Sequence, residues 1–252
     1  MPVCTLALYF RCFGDFPLIV AANRDERYDR SATAPRIVES DPAIVTGRDL
    51  LAGGTWLGVN EYGLVVAVLN RRTHGGGGPA SDFRSRGLLC LELLRSNSAA
   101  SATEFLSKDR FRYQPFTLVI ADEVRSCTAV NRDNGIDLAE LTPGLHVFNN
   151  RGTQDEPDEK HSRAYALFRA WAPDASGDSG AWVAPLQAIL SDHHGNSSND
   201  PGSALCVHGE VSGTVSSSII VYQRQPKQAQ FFYCAGPPCR NSFGEPLRLR
   251  IR

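Results

Sequence analysis

The opening stretch, MPVCTLALYFRCFGDFPLIVAANRDE, constrains the fold more than any other part of the chain. Val3 to Phe10 and Phe16 to Ala22 are short apolar runs rich in β-formers, with the turn residues Gly14 and Asp15 between them. Two such runs around a tight turn predict a β-hairpin. The second run ends in consecutive polar residues, Asn23, Arg24, Asp25 and Glu26. Antiparallel pairing sets Cys4, near the start of the first strand, beside this cluster. A thiol near a fixed cation and a carboxylate has a route to becoming a nucleophile. The plainer reading makes Cys4 a small buried residue. It makes the cluster a solvated strand end whose ion pair is worth no more than about 1 kcal/mol.

The rest of the chain alternates strands with helices. Arg27 to Pro42 is polar and proline-punctuated and reads as loop; Ile44 to Arg48 reads as a short strand. Gly53-Gly54 and Asn60-Glu61 are turn signals, with TWLGV and LVVAVLN as strands around the second. Leu64 to Leu69 is apolar at every position, which suits a strand buried on both faces and ending at Asn70. The glycine run Gly75 to Gly78 lacks a following Gly-Lys-Ser/Thr and is no phosphate cradle. Ser85 to Leu94 has helical spacing, with Leu88, Leu91 and Leu94 on one face; Ser101 and Glu104 form a capping box for a second helix. Phe116 to Asp122 pairs with Val124 to Asn131, and Leu145 to Asn149 is a further strand ending in Asn149 and Asn150. An acidic loop over 151–160 leads to a helix from His161 to Trp171, with Tyr165, Phe168 and Trp171 inward. A linker over 174–180, a short helix from Trp182 to Leu190 and a polar loop over 191–203 follow. The late strands are Ala204 to His208, Val215 to Arg224 and Gln230 to Cys234, before an extended, exposed tail from Pro237. Segregated antiparallel strands and helices define an α+β class. No repeat and no clean boundary interrupts residues 1–252, which read as a single domain.

Composition excludes several partners. The 252 residues can bury a sizeable core, and 42% hydrophobic with 21% charged content is ordinary for a globular chain. A net charge of −1 supplies no basic field for nucleic acid or anionic membrane. Seven cysteines, an odd number without regular spacing, argue against a disulfide scaffold and for a reducing, cytoplasmic setting. No apolar run reaches the ~20 residues of a membrane span. No Lys or Arg precedes Arg11, and Asp15 and Pro17 interrupt the apolar start, so a secretory signal is not expected. Cys206, His208 and the nearby His193-His194 raise the question of zinc, but their spacing fits no usual ligand pattern, nor does that of Cys234 and Cys239. The sequence therefore sets metal aside and calls for no cofactor.

The hairpin, AANRDE, GGTWLGVNEYGLVVAVLN and SRGLL together resemble the NRDE family, also called the transport and Golgi organisation protein 2 family. FNN at 148–150 and CVHGEVSGTVSSSIIVY at 206–222 extend the resemblance. Membership implies the N-terminal-nucleophile hydrolase fold, a four-layer αββα sandwich of mostly antiparallel sheets. The wider cysteine branch includes bile-salt hydrolases, penicillin V acylases and acyl-CoA:6-aminopenicillanic-acid acyltransferases. There the mature chain begins with cysteine, and the free α-amine, with an ordinary pKa of about 7.7–8.0, takes the thiol proton. By motif Cys4 matches the nucleophile, Asp25 the aspartate and Arg24 the cation. Asn70 matches an oxyanion asparagine, and Asn149 more loosely a second. Two departures stand out. In most members the cysteine follows the initiator methionine directly, whereas Met1-Pro2-Val3 precede it here. Many relatives carry Arg where this chain has Val215.

Two functions follow from this reading. The first is a cysteine amidohydrolase or acyltransferase acting on a C–N amide bond of a small acylated substrate. Its catalytic set is Cys4, Arg24, Asp25, Asn70 and Asn149. Asn23, Trp56, Asn150 and His208 are the candidate substrate contacts, although Trp56 also suits a core strand position and His208 a structural hydrogen bond. The second is a non-catalytic binding or trafficking protein on the same fold, taking a lipid, acyl-CoA or haem-like ligand. The masked amine favours the second and the Cys-Arg-Asp-Asn set the first.

Overall fold

The structure, a computed structural model, describes residues 3–71, 83–132, 135–150, 157–173, 179–194 and 203–252. The glycine run 75–78, the centres of the acidic loop and linker, and residues 195–202 of the polar loop lie outside the described residues. In chain order the strands and helices are β1 (Thr5–Phe13), β2 (Phe16–Arg27), β3 (Arg36–Ser40), β4 (Ala43–Thr46), β5 (Leu57–Asn60), β6 (Val65–Asn70), α1 (Arg86–Leu93), α2 (Ala99–Lys108), β7 (Phe116–Ala121), β8 (Ser126–Arg132), β9 (Gly135–Glu140), β10 (Gly144–Asn149), α3 (Glu159–Ala170), α4 (Val183–Leu190), β11 (Ser212–Gln223), β12 (Gln228–Ala235) and β13 (Leu247–Arg250).

These elements form two compact units. The first comprises Met1–Arg30 with Pro143–Arg248, the second Ser31–Thr142 with Leu249–Arg252. The expected hairpin of β1 and β2 is present, and it lies in a six-stranded sheet of order β10-β1-β2-β11-β12-β13. β1 pairs antiparallel with β10 and β2, and β11 with β2 and β12. Ala7, Tyr9, Ile19, Ala21 and Val147 pack against Ala164 and Phe168 of α3 and Leu186 and Leu190 of α4. Alternation along β1 and β2 sends those side chains to the helices and their neighbours Leu6, Leu8, Leu18 and Val20, also buried, to the other face.

The second unit is a seven-stranded antiparallel sheet in the order β3 to β9. Val66, Val68, Leu118 and Ile120 meet Leu89, Leu93, Ala99, Ala102 and Leu106 of its two helices. The wholly apolar run at 64–69 is buried along its length, as its composition requires.

Several local expectations are corrected. Arg36–Ser40, read as loop, is an edge strand with a bulge opposite β4, and its polar side chains suit that half-exposed position. Ala204 to His208 forms no strand and makes only an isolated bridge at His208 to Gly213. The tail contributes β13. α2 begins earlier than expected: Ser98 caps it, and the capping box is closed by Ser101 rather than Glu104. In α1, Leu91 and Leu94 are buried but Leu88 is 39% exposed. Gly87 brings the backbone of that first turn onto Thr55, whose N–H donates to the Gly87 carbonyl, and Leu88 points away. α3 begins at Glu159, and its buried face is Lys160, His161, Ala164 and Phe168; Tyr165 is at its exposed edge.

Candidate functional site

The chemistry-bearing residues of the first unit collect at one end of its sheet because three antiparallel strands bring their ends together. Thr5, directly after Cys4, stands opposite Asn23 of β2 on one side and Asn149 of β10 on the other. β2 continues through the whole Asn23–Glu26 cluster, so those side chains are held by a strand with pairing on both sides. Cys4 remains partly exposed, and its thiol donates to the Asp25 carbonyl oxygen at 3.5 Å. Burial first, then the charge of Asp25, pushes the thiol pKa up to about 12, against the opposing effects of Arg24 and Lys160. At neutral pH the group is a thiol and needs a base.

Asp25 is held at both carboxylate oxygens. Its Oδ1 accepts from the Thr214 hydroxyl at 2.6 Å, and its Oδ2 accepts from Lys160 Nζ at 2.9 Å. Lys160 also donates to the Val3 carbonyl at 2.6 Å. Burial raises the Asp25 carboxyl above the usual carboxylate range, and Lys160 and Thr214 oppose that shift. Lys160 is the residue that sequence reading missed. It lies eight positions before Phe168, which puts it on the inward face of α3. A lysine on an inward face of a helix is the signal that could have found it.

The other expected residues divide. Arg24 is buried, and its guanidinium lies 3.8 Å from Glu26, while alternation turns it away from the face occupied by Asn23 and Asp25. Asn23 donates to the carbonyls of Leu190 and Leu205 at 2.8 and 2.9 Å and accepts from Ser217 at 2.6 Å. Its amide ties β2 to the last residue of α4 and to the segment before β11. Asn149 donates at 2.7 Å to Asp158, the residue that caps α3. The Oδ1 of Asn150 is buried with no hydrogen-bond partner among the described residues. Val215 sits at a bulge between Thr214, paired with Asp25, and Ser216, paired with Arg24.

Asn70 and Trp56 belong to the second unit. Asn70 ends β6 with its side exposed, and Trp56 is partly buried against that unit's core. A surface depression of about 510 Å³ in that unit, lined by residues of α2, β8 and β9, contains neither. His208, expected as a substrate contact, lies instead with Cys206, Cys239 and His193. Burial first, then Arg240 and His193, lowers its pKa. Folding thus gathers four side chains of ligand type that are far apart in sequence, which local spacing does not record.

Antiparallel sheets with helices packed on them are the fold of solved N-terminal-nucleophile hydrolases. An N-acylethanolamine-hydrolyzing acid amidase orthologue from Caenorhabditis elegans is similar over 86% of this chain and 92% of its own, with TM-score 0.59 and 14% identity. Penicillin V acylase from Agrobacterium tumefaciens is similar over 90% of this chain and 82% of its own, with TM-score 0.59 and 15% identity. These likenesses show the fold, the αββα class expected from the sequence. The family model described as Transport and Golgi organisation 2 matches residues 3–232, and the chain belongs to that family. Its relatives include the Transport and Golgi organization 2 homolog of Mus musculus, 31% identical over 144 residues, covering 54% of this chain and 51% of the relative. The Homo sapiens homolog is 30% identical over 146 residues, with the same shares. The chain thus matches about half the length of these curated relatives. Among the described residues, no helix is long and apolar enough to cross a membrane.

Proposed function

We propose that this protein is a cysteine amidohydrolase or acyltransferase acting on a C–N amide bond of a small acylated substrate. The observation that carries the reading is the placement of Cys4, partly open, against the backbone of Asp25. In the chain as it stands the Cys4 nitrogen is in a peptide bond with Val3. Cleavage of that bond would free an α-amine next to the position now held by the Val3 carbonyl, within reach of the Lys160–Asp25 pair. The amine takes the thiol proton, and the sulfur attacks the substrate carbonyl carbon. The resulting oxyanion needs hydrogen-bond donors. Collapse expels the amine, which leaves with the proton, and a thioester remains on Cys4. Water or an acceptor amine then takes the acyl group and restores the thiol. Asn149 supports the site through Asp158 and α3, and Arg24 supplies positive charge.

One observation favours a second reading, a binding protein on the same fold. Lys160 holds the Val3 carbonyl as an ordered, buried contact, which is what a permanently masked Cys4 needs. Intact-mass analysis and a panel of N-acyl amines separate the two. A mature chain starting at Cys4 that accumulates a thioester on Cys4 supports catalysis. A chain that retains Val3 and forms no acyl adduct with any member of the panel sinks it.

A further inference from the structure

Four ligand-type side chains that sequence spacing hides meet in the first unit, with Cys206 buried beneath exposed His193 and His208. His193 lies just after α4, Cys206 and His208 lie in the segment before β11, and Cys239 lies in the turn after β12. Their donor atoms all lie within 4.8 Å of one another. Cys206 Sγ is 3.6 Å from Cys239 Sγ and 3.7 Å from His208 Nε2, and His208 Nε2 is 3.2 Å from Cys239 Sγ. A tetrahedron built on Zn–S of about 2.3 Å and Zn–N of about 2.0–2.1 Å has edges of roughly 3.3–3.8 Å. Two of the three separations fall within that range and the third is 0.1 Å below it. A disulfide, by contrast, brings its sulfurs to about 2.05 Å.

We propose that His193, Cys206, His208 and Cys239 bind one zinc ion in a closed, four-coordinate site. Two sulfurs and two imidazole nitrogens select zinc over magnesium or calcium, which take oxygen ligands. His193 Nδ1 is 3.1 Å from the Cys206 carbonyl oxygen. That contact fixes Nδ1 as the protonated nitrogen and leaves Nε2 for the metal, the outer-shell arrangement common to ligating histidines. Binding requires no oxidant: the two thiols each release a proton to solvent as the Zn–S bonds form. With four protein ligands no position is left for a reacting molecule, so the site is structural.

Its structural consequence reaches the carboxylate of the candidate active site. Val207 stands between two of the ligands. Its N–H donates to the Thr214 hydroxyl oxygen at 2.9 Å, and its carbonyl accepts from the Thr214 N–H at 2.8 Å. The same Thr214 hydroxyl donates to Asp25. On the other side the Cys206 N–H donates to the Asp192 carbonyl at 2.9 Å. The ion would therefore pin the strap that supports Thr214, whether or not Cys4 is catalytic.

The test uses the full chain, purified under reducing conditions from zinc-replete cells, with metal content measured by mass spectrometry. One zinc per chain is expected. Cobalt exchanged into the site should give thiolate-to-metal charge-transfer absorption together with intense tetrahedral d–d bands. His193→Ala and His208→Ala alter exposed side chains and test the ligands without opening the core. Each should weaken cobalt binding by at least about 100-fold, since outer-shell changes alone cost 10–100-fold. Cys239→Ser should abolish or reduce the charge-transfer band, and Cys4→Ala should leave metal content unchanged. Trace metal in a folded chain, a cobalt spectrum without thiolate character, unchanged affinity in both histidine variants, or a Cys206–Cys239 disulfide in freshly purified protein would each overturn the proposal.

Discussion

Lys160 sets its ammonium between the Asp25 carboxylate and the Val3 carbonyl with 1% of its side chain exposed, and the Asp25 side chain is fully covered. Removing one partner of such a pair leaves the other charge buried without compensation, at a cost of about 3–5 kcal/mol. Lys160→Met should therefore lower the unfolding free energy obtained from urea titration by an amount in that range. Adding Asp25→Leu should recover most of the loss; a single variant as stable as the parent would show that the pair is hydrated in solution. Cys4 gives a second prediction. With its thiol pushed up to about 12, the reactive thiolate fraction stays small and grows tenfold per pH unit across the neutral range. Site-resolved iodoacetamide labelling should climb with pH through about 7–10 without a plateau while Val3 is attached. A plateau near neutrality in that form would mean that a nearby base already activates the sulfur. Cys4, Arg24 and Asp25 were legible in the sequence because hairpin pairing follows from alternation and turn residues. Lys160 was not, because its partner is 135 residues away and no local pattern records that distance.

At the scale of elements, glycines decide how the second unit closes. The Gly53-Gly54 pair read as a turn, and Gly53 does adopt a left-handed φ of +70°. Gly54 has another reason, invisible in the sequence. A Cβ there would lie 2.3 Å from the Gly87 carbonyl carbon and 2.6 Å from the Leu88 nitrogen, both backbone atoms of the α1 start. Two motifs, GGTWLG and SRGLL, thus meet backbone to backbone, which explains why the leucine face expected for α1 is rotated at Leu88. Gly54→Ala should destabilise by about 1–3 kcal/mol or more, the range for overpacking a site that cannot relax. Gly14→Ala, where nothing lies within 4 Å of the added carbon, is the control expected to change stability little. Equal melting temperatures for the two variants would contradict this account of the contact. β3 was missed for a different reason: an edge strand with exposed polar side chains lacks the apolar alternation on which a strand assignment depends.

For the molecule as a whole, the α+β class was readable from segregated strands and helices, but the division into units was not. The chain leaves the first unit at Arg30 and re-enters it at Pro143, and no change in composition marks either crossing. Long-range ties within the first unit also shape how it responds to acid. Asp192, just past α4, receives both Arg163 Nε and Nη2 from α3 at 2.6 and 2.7 Å. Burial alone would raise its carboxyl, but the hydrogen bonds and charges of Arg163, with His194 adding to them, hold it below the usual carboxylate range. A carboxyl depressed in the folded state stabilises fully above its unfolded pKa of about 3.9, and that stabilisation is lost as pH falls through the folded value. Asp25 has the opposite sign, because its pKa is raised: its contribution is present at low pH and fades as pH rises through its folded value. Asp192 should therefore contribute to the acid limb of stability, whereas Asp25 should not. Urea unfolding from pH 7 down to about 3 should show a falling midpoint that is shallower in Asp192→Asn, with the variant already weaker at pH 7. A parallel decline in parent and variant would assign the acid response to other carboxylates and remove Asp192 from the account.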